Sequence, residues 1–281
     1  MNRFLLCTDL DRTLIPNGAQ PESTTARERF KRLVSREEMS LAYVTGRHQA
    51  LIEQAIADYD LPHPDVVIAD VGTTIYQIGS SGWKRWDQWE ARIAPDWRGL
   101  SQAELHGLLG DFTDLQLQEK EKQNRHKLSF YLPLETNRQT LFAEMNARLS
   151  RSGIRANLIW SVDEEAGIGL LDVLPASANK LHAIRFLMEK RGFVSDNTVF
   201  AGDSGNDLEV LMSDIPSVLV ANAENRIRSR VAQAKSATIY SAKGGYLGMN
   251  GNYCAGILEG VAHFWPEVDH ILREMNVDEG C

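Results

Sequence analysis

Phe4-Leu5-Leu6-Cys7-Thr8-Asp9-Leu10-Asp11-Arg12-Thr13-Leu14 carries an apolar run straight into two aspartates one residue apart. A short apolar run with no polar alternation suits a strand covered on both faces, as in a parallel sheet. Two carboxylates at the tip of such a strand repel one another, so their placement calls for a cation. Outward from this stretch the same texture recurs. Leu41–Val44 runs into Thr45-Gly46-Arg47, Val66–Ala69 forms another run, and Thr198–Ala201 leads into Gly202-Asp203-Ser204-Gly205-Asn206-Asp207. Val218–Val220 is a fifth candidate strand. Thr24–Val34 has amphipathic helical spacing, with Ser23 or Thr24 as its N-cap, and Asn179–Gly192 predicts a helix that stops at its glycine. Strands alternating with helices predict an α/β fold with a mostly parallel sheet covered by helices.

The middle third differs. Trp83, Trp86, Trp89 and Trp97 crowd one segment, a charged stretch follows, and Lys127–Leu132 alternates as a strand with one wet face. This pattern predicts an inserted α/β cap over residues 81–175, set into a core formed by residues 1–80 and 176–281. The expected joints are Gly79-Ser80-Ser81-Gly82 and Pro175-Ala176-Ser177-Ala178. The tryptophans suit either a sugar-stacking platform or the packing of the insert's helix on its own sheet; packing is the expectation, because Trp is mostly a core residue.

Composition removes several classes of function. The 281 residues carry a formal charge of −8 with no basic block, which argues against nucleic acid as a partner. No apolar run approaches the roughly 20 residues that span a bilayer, so no membrane is expected. Asp9 and Asp11 interrupt what a signal peptide would need as its apolar stretch. Cys7, Cys254 and Cys281 form no spacing pattern, which fits reduced thiols and a cytoplasmic location.

Each motif has an ordinary alternative. Asp9-Leu10-Asp11 also opens a calcium loop, but Leu14 stands where that loop needs Gly and Gln20 where it needs Glu. Thr45-Gly46 offers a hydroxyl and backbone N–H groups to an anion, or else merely caps a helix. Lys180 sits at a helix start, the wrong end for a cation, which hints at a task. The Gly202–Asp207 loop supplies two carboxylates and an amide, suited to Mg²⁺, or it caps the next helix through Asp207. Together they bring a nucleophile, an anion cradle, a cation and a metal loop, three of them at strand ends, where open α/β sheets bind ligands. No Gly-x-x-x-x-Gly-Lys phosphate loop is present.

These motifs, with Val71-Gly72-Thr73-Thr74-Ile75, Arg125–Tyr131, Leu171–Pro175 and Gly256–Glu259, resemble the sucrose-phosphate phosphatases among the haloacid-dehalogenase-like hydrolases. Two positions depart: Thr74 stands where that family usually has Glu, and Leu181 where it has Gly. The resemblance implies a Rossmann-like core with an inserted α/β cap, and Mg²⁺-dependent hydrolysis of sucrose 6-phosphate through an aspartyl-phosphate. Asp9 would be nucleophile and metal ligand. Asp11 would be acid and base, reaching the metal through its backbone carbonyl. Asp203 would be a direct ligand, with Asp207 beside it orienting Lys180. Thr45, Gly46, Lys180 and Asn206 would hold the phosphoryl group, and Lys127, Asp172, Arg47 and Thr73 would meet the sugar. Arg47 suits a surface ion pair equally well. Two other readings stay open. One is a phosphatase of another glycosyl phosphate, such as mannosylfructose phosphate or a glucosylglycerol-type phosphate. The other is a non-catalytic module docking with a sucrose-phosphate synthase. A monomer is expected.

Overall fold

A computed structural model describes residues 3–163, 166–234 and 236–275. The strands are β1 (Phe4–Thr8), β2 (Met39–Val44), β3 (Val66–Ala69), β4 (Thr74–Gly79), β5 (Gly82–Arg85), β6 (Gln116–Leu117), β7 (Leu128–Leu132), β8 (Ala156–Asp163), β9 (Ile168–Pro175), β10 (Thr198–Gly202), β11 (Ser217–Leu219) and β12 (Ile239–Ser241). The helices are α1 (Ala26–Val34), α2 (Gln49–Asp58), α3 (Asp87–Ile93), α4 (Gln102–Leu109), α5 (Arg138–Arg151), α6 (Lys180–Arg191), α7 (Leu208–Leu211), α8 (Asn225–Ala234), α9 (Cys254–Phe264) and α10 (Pro266–Glu274).

One sheet runs β12-β11-β10-β1-β2-β3-β4-β5, parallel except for the β4–β5 hairpin at one edge. All five residues of β1 and of β10 are buried, as a strand covered on both faces requires. Helices α1, α9 and α10 pack together as one layer, and α6 with α7 as another. The chain leaves β1 toward β2 on one side and returns as β10 on the other. The β1–β10 crevice is therefore the topological switch point, where such sheets place their ligands.

Five predicted strands and both predicted helices form, with ends shifted by a residue or two. Thr25 is the N-cap of α1 in place of Ser23 or Thr24, and its side chain makes no capping bond. Helix α6 starts as read: the Asn179 side chain accepts from the His182 N–H, and Gly192 closes the helix at φ +74°.

A second sheet, β6-β7-β9-β8, is antiparallel. Its Leu128, Phe130, Leu132, Leu171 and Val173 form a separate core with Leu105 and Leu109 of α4 and Leu141, Met145 and Leu149 of α5. Because side chains alternate across a sheet, Ser129, Tyr131, Asp172, Ile159 and Ser161 fall on the opposite face. That face also carries Ile168, Leu170 and Leu174, so it is mixed in character, and β8 lies against the Gly205–Asp207 turn of the main sheet.

The segment expected as the first joint, Gly79–Gly82, forms a hairpin turn. Gly79 and Gly82 pair across the tight turn of the β4–β5 hairpin, which extends the main sheet. A flexible linker and a hairpin turn have the same Gly/Ser composition, so only the pairing partner distinguishes them. Trp89 and Ile93 belong to the main core, and Trp86 and Trp89 each lie 5.2 Å from the Phe186 ring of α6. Only Trp97 enters the second core. These tryptophans pack, as expected, but mostly on the main sheet's helix. We therefore propose that the inserted unit begins near Asp96, not at residue 81. The Asp96 carboxylate accepts from the Ser177 N–H and Oγ–H and pairs with Arg155, tying the inbound and outbound chains together.

Candidate active site

Backbone register assembles the site. Thr8 lies opposite Tyr43 of β2 and Ala201 of β10, and the Asp9 N–H donates to the Ala201 carbonyl at 2.9 Å. Asp9, Thr45 and Asp203 therefore leave the sheet from three adjacent strand tips. Lys180, at the start of α6, brings its ammonium to Asp9 Oδ1 (2.9 Å), Asp207 Oδ1 (2.7 Å) and Asn206 Oδ1 (3.2 Å). This answers the misplaced charge noted in the sequence: the lysine faces a buried carboxylate pair, whose attraction outweighs the helix dipole.

The Gly202–Asp207 loop folds so that Asp207 accepts from its own turn. Asp207 Oδ2 takes the N–H groups of Asp203 and Ser204, both at 3.1 Å. Gly202 makes this possible, since a Cβ there would stand 2.6 Å from Asp207 Cγ. Both oxygens of Asp207 are thus engaged. Asp203 differs: its Oδ1 accepts from Thr13 Oγ1 at 3.1 Å, while its buried Oδ2 accepts no hydrogen bond and lies 3.6 Å from Arg12 Nε. Carboxylate oxygens of Asp9, Asp203 and Asp207 lie within 4.8 Å of one another, all buried. An all-oxygen, anionic set with an unsatisfied buried oxygen fits a hard divalent cation.

Burial raises Asp9 to about 7, against the pull of Lys180 and with repulsion from Asp207 and Asp11 adding to it. Burial, with the charges of Asp207 and Asp9, raises Asp203 to about 8. Burial works against the charge on Lys180 too, but Asp207 and Asp9 more than offset it and the ammonium is held well above its usual range. Without a metal, then, the folded protein binds protons at Asp9 and Asp203 that the unfolded chain releases near 3.8. Their stabilising contribution is complete below that value and is lost as pH rises through about 7 and 8. In EDTA the melting temperature should fall between about pH 4 and 8, while affinity for Mg²⁺ rises as those protons leave. A melting temperature that climbs across this window in EDTA contradicts the assignment.

Asp11 titrates the other way. Burial opposes its charge, but Arg47 Nη2 (2.6 Å) and Nε (2.9 Å) and Asn17 Nδ2 (2.8 Å) hold its carboxyl below the usual range. Its carboxylate stands apart from the Asp9–Asp203–Asp207 cluster. Arg47, expected at the sugar, is turned to Asp11. Helix α2 begins at Gln49, so Thr45 and Gly46 lie in the loop before the helix, with the Thr45 hydroxyl accepting from the Arg47 N–H.

The other sugar candidates lie toward the inserted unit. Lys127 is buried with its ammonium 3.8 Å from Asp172, which accepts from Ser129 Oγ at 2.5 Å. Thr73 is buried; its hydroxyl donates to the Asp70 carbonyl and accepts from Asn124 Nδ2. Sequence reading passed over Thr13, Asn17, Asp70 and Asn124. Only Asn17 had a local signal, the Pro16-Asn17-Gly18 turn directly after the acidic motif.

Cys7 and Cys254 are buried free thiols, whereas Cys281 lies outside the described residues. Among the described residues no helix is long and apolar enough to cross a membrane.

Comparison with known proteins places this geometry. The family model for sucrose-6F-phosphate phosphohydrolase matches residues 2–265. A protein of Nitrosococcus oceani, described no more closely than as a HAD-like hydrolase, is 56% identical over 94% of this chain and 72% of its own. Sucrose-phosphatase 1 of Nicotiana tabacum is 31% identical over 93% of this chain; the match spans only 59% of the tobacco protein. The sucrose-phosphatase of Synechocystis sp. PCC6803, solved with sucrose and phosphate, superposes with a TM-score of 0.76 at 26% identity, covering 94% of this chain and 98% of that one. A family match over nearly every residue, on a HAD-type core with its acidic cluster at the switch point, settles the family: this chain belongs to the sucrose-6F-phosphate phosphohydrolases of the HAD phosphatases.

Proposed function

We propose that this phosphatase hydrolyses sucrose 6-phosphate, with Mg²⁺ as its metal. The observation that carries the reading is the buried Lys180 ammonium joining Asp9 to Asp207 beside the unsatisfied Asp203 oxygen. Asp9 and Asp203 would hold the cation, with Asp207 orienting Lys180, and the bound ion would supply positive charge for the phosphoryl oxygens. An Asp9 oxygen attacks phosphorus as the bond to the sugar oxygen breaks, and Asp11 delivers a proton to that leaving oxygen. Asp11 then takes a proton from the water that cleaves the aspartyl-phosphate, which frees phosphate and restores Asp9. Asp11 must leave Arg47 to act, because an Arg-paired carboxylate carries no proton to donate. Thr45 and Gly46 hold phosphoryl oxygens. Asn206 turns its oxygen toward Lys180 and Ser204, which leaves its amide nitrogen for the anion.

The contact of β8 with the Gly205–Asp207 turn supports a role for the second sheet in covering and selecting the sugar, with Lys127, Asp172 and Thr73 on its approach. Retention of Asp9, Asp11, Lys180, Asp203 and Asp207 favours catalysis over a silent module docking with a synthase. One observation favours a different glycosyl phosphate. Thr74, in place of the family's Glu, contacts Asn124 of the inserted unit and so lies where the two units meet.

Phosphate release from a panel of sugar phosphates decides between the two. Sucrose 6-phosphate should have the highest kcat/KM, with activity lost in EDTA and restored by Mg²⁺. A better substrate in the panel replaces the specific name and leaves the chemistry standing. Activity undiminished by EDTA removes the metal.

A further inference from the structure

Asp70, Val71 and Gly72 have φ of +53°, +60° and +96°, the longest left-handed run among the described residues. Valine is β-branched and strongly disfavours this region, so the surrounding contacts must impose the conformation. Those contacts reach three places. The Asp70 N–H donates to the Arg47 carbonyl (3.0 Å) and the Val71 N–H to the Thr45 carbonyl (3.1 Å), which fixes the phosphate-side loop. Gly72 presses on the start of α6: a Cβ there would lie 2.4 Å from the Asn179 carbonyl carbon and 2.8 Å from the Lys180 nitrogen. The third contact crosses to the inserted unit. Asn124 Nδ2 donates to Thr73 Oγ1 (3.0 Å) and approaches Thr74 Oγ1 (3.4 Å), while Asn124 Oδ1 accepts from the His126 N–H (2.8 Å). The Asp70 carboxylate is buried too: burial raises it, and the charge of Lys127 works against that rise.

We infer that the Asp70–Gly72 turn is a positioning element through which seating of the inserted unit, by Asn124 on Thr73 and Thr74, sets the places of Thr45 and Lys180. The turn touches none of the reacting atoms itself. It occupies a junction shared by the inserted unit, the phosphate loop and the lysine helix, and its strained backbone has few alternative conformations in which those contacts survive. The inference deepens the phosphatase reading and rests on it. It assigns to Asn124 a role in turnover, not in sugar recognition.

Asn124→Ala, Asp70→Asn and their double variant test this on the full chain with Mg²⁺, using sucrose 6-phosphate and p-nitrophenyl phosphate side by side. Asn124→Ala and Asp70→Asn should each lower kcat about tenfold on both esters and leave KM within about threefold, since transition-state positioning is lost and ground-state contact is kept. The double variant should be no slower than the worse single variant, as expected of residues acting as one unit. Thr73→Val, nearly isosteric, breaks the same bridge from the other side and guards against misfolding of Asp70→Asn. A loss confined to KM for the sugar phosphate overturns the inference, because Asn124 would then be a sugar contact. Unchanged kcat with a lowered melting temperature, or multiplicative losses in the double variant, also overturns it. If the wild type turns over only the aryl ester, the substrate reading fails while the aryl ester still decides the coupling. A wild type inert toward both sinks the two together.

Discussion

Asp9→Asn should lower phosphate release by at least about 10⁴-fold while leaving the metal-free protein as stable as the wild type or more so. The two effects come from one atom change. The amide is no nucleophile, so no phosphoryl bond can form at residue 9. The same change removes one negative charge from three buried aspartates, of which Asp9 is already raised to about 7 by burial and its neighbours. Phosphate assays and thermal unfolding in EDTA measure both. Activity above about 1% of wild type excludes Asp9 as the nucleophile.

Lys180→Met should show the reverse sign in stability. Its side chain is 1% exposed and its ammonium is bonded to Asp9 and Asp207, so methionine leaves those two buried carboxylates without that cation. Removing one partner of a buried charge cluster costs about 3–5 kcal/mol, and the lost charge at the phosphoryl group lowers kcat by about 10³-fold. With the ammonium gone, Asp9 loses an attraction that favoured its charged form. Stability of the variant should therefore recover toward acid more steeply than that of the wild type. Mg²⁺ should raise its melting temperature by more than it raises the wild type's. A metal-free variant melting within about 2 °C of wild type at neutral pH refutes the electrostatic account of the site.

The pair separates chemistry from architecture. Asp9 is dispensable to the fold and indispensable to the proposed reaction, whereas Lys180 serves both. Lys180 neutralises the charge that gathers when the β1 and β10 tips meet, and the cost of desolvating it is offset by short contacts to both carboxylates. The proposed division also explains why Asp207 is buried: with both oxygens engaged it holds the loop and aims the lysine.

Much of this was legible in the chain. The strands ending at Thr8, Val44, Ala69 and Gly202 announce themselves because parallel strands buried on both faces are short apolar runs, and each stops where polar loop residues begin. Helix α6 was legible at both ends, since Asn179 and Gly192 act through their own backbone neighbours. What escaped was of another kind. Gly79-Ser80-Ser81-Gly82 reads alike as a linker or a hairpin turn until β5 finds β4. Arg47 reads as a sugar ligand or a surface ion pair until Asp11, distant in sequence, is beside it. Asn124 carries no local signal for its role, because its partners Thr73 and Thr74 lie across the junction of the two units.

The sequence by itself determined the parallel sheet, the order of its motifs and the residue types at each strand tip, because periodicity and local hydrogen bonding depend only on near neighbours. Tertiary structure alone decided which charges meet: the Lys180 bridge, the Arg47 hold on Asp11 and the Asn124 contact. Electrostatic interaction falls with distance in space, not along the chain, so pairs as far apart as Asp9 and Lys180 acquire meaning only when the strands assemble.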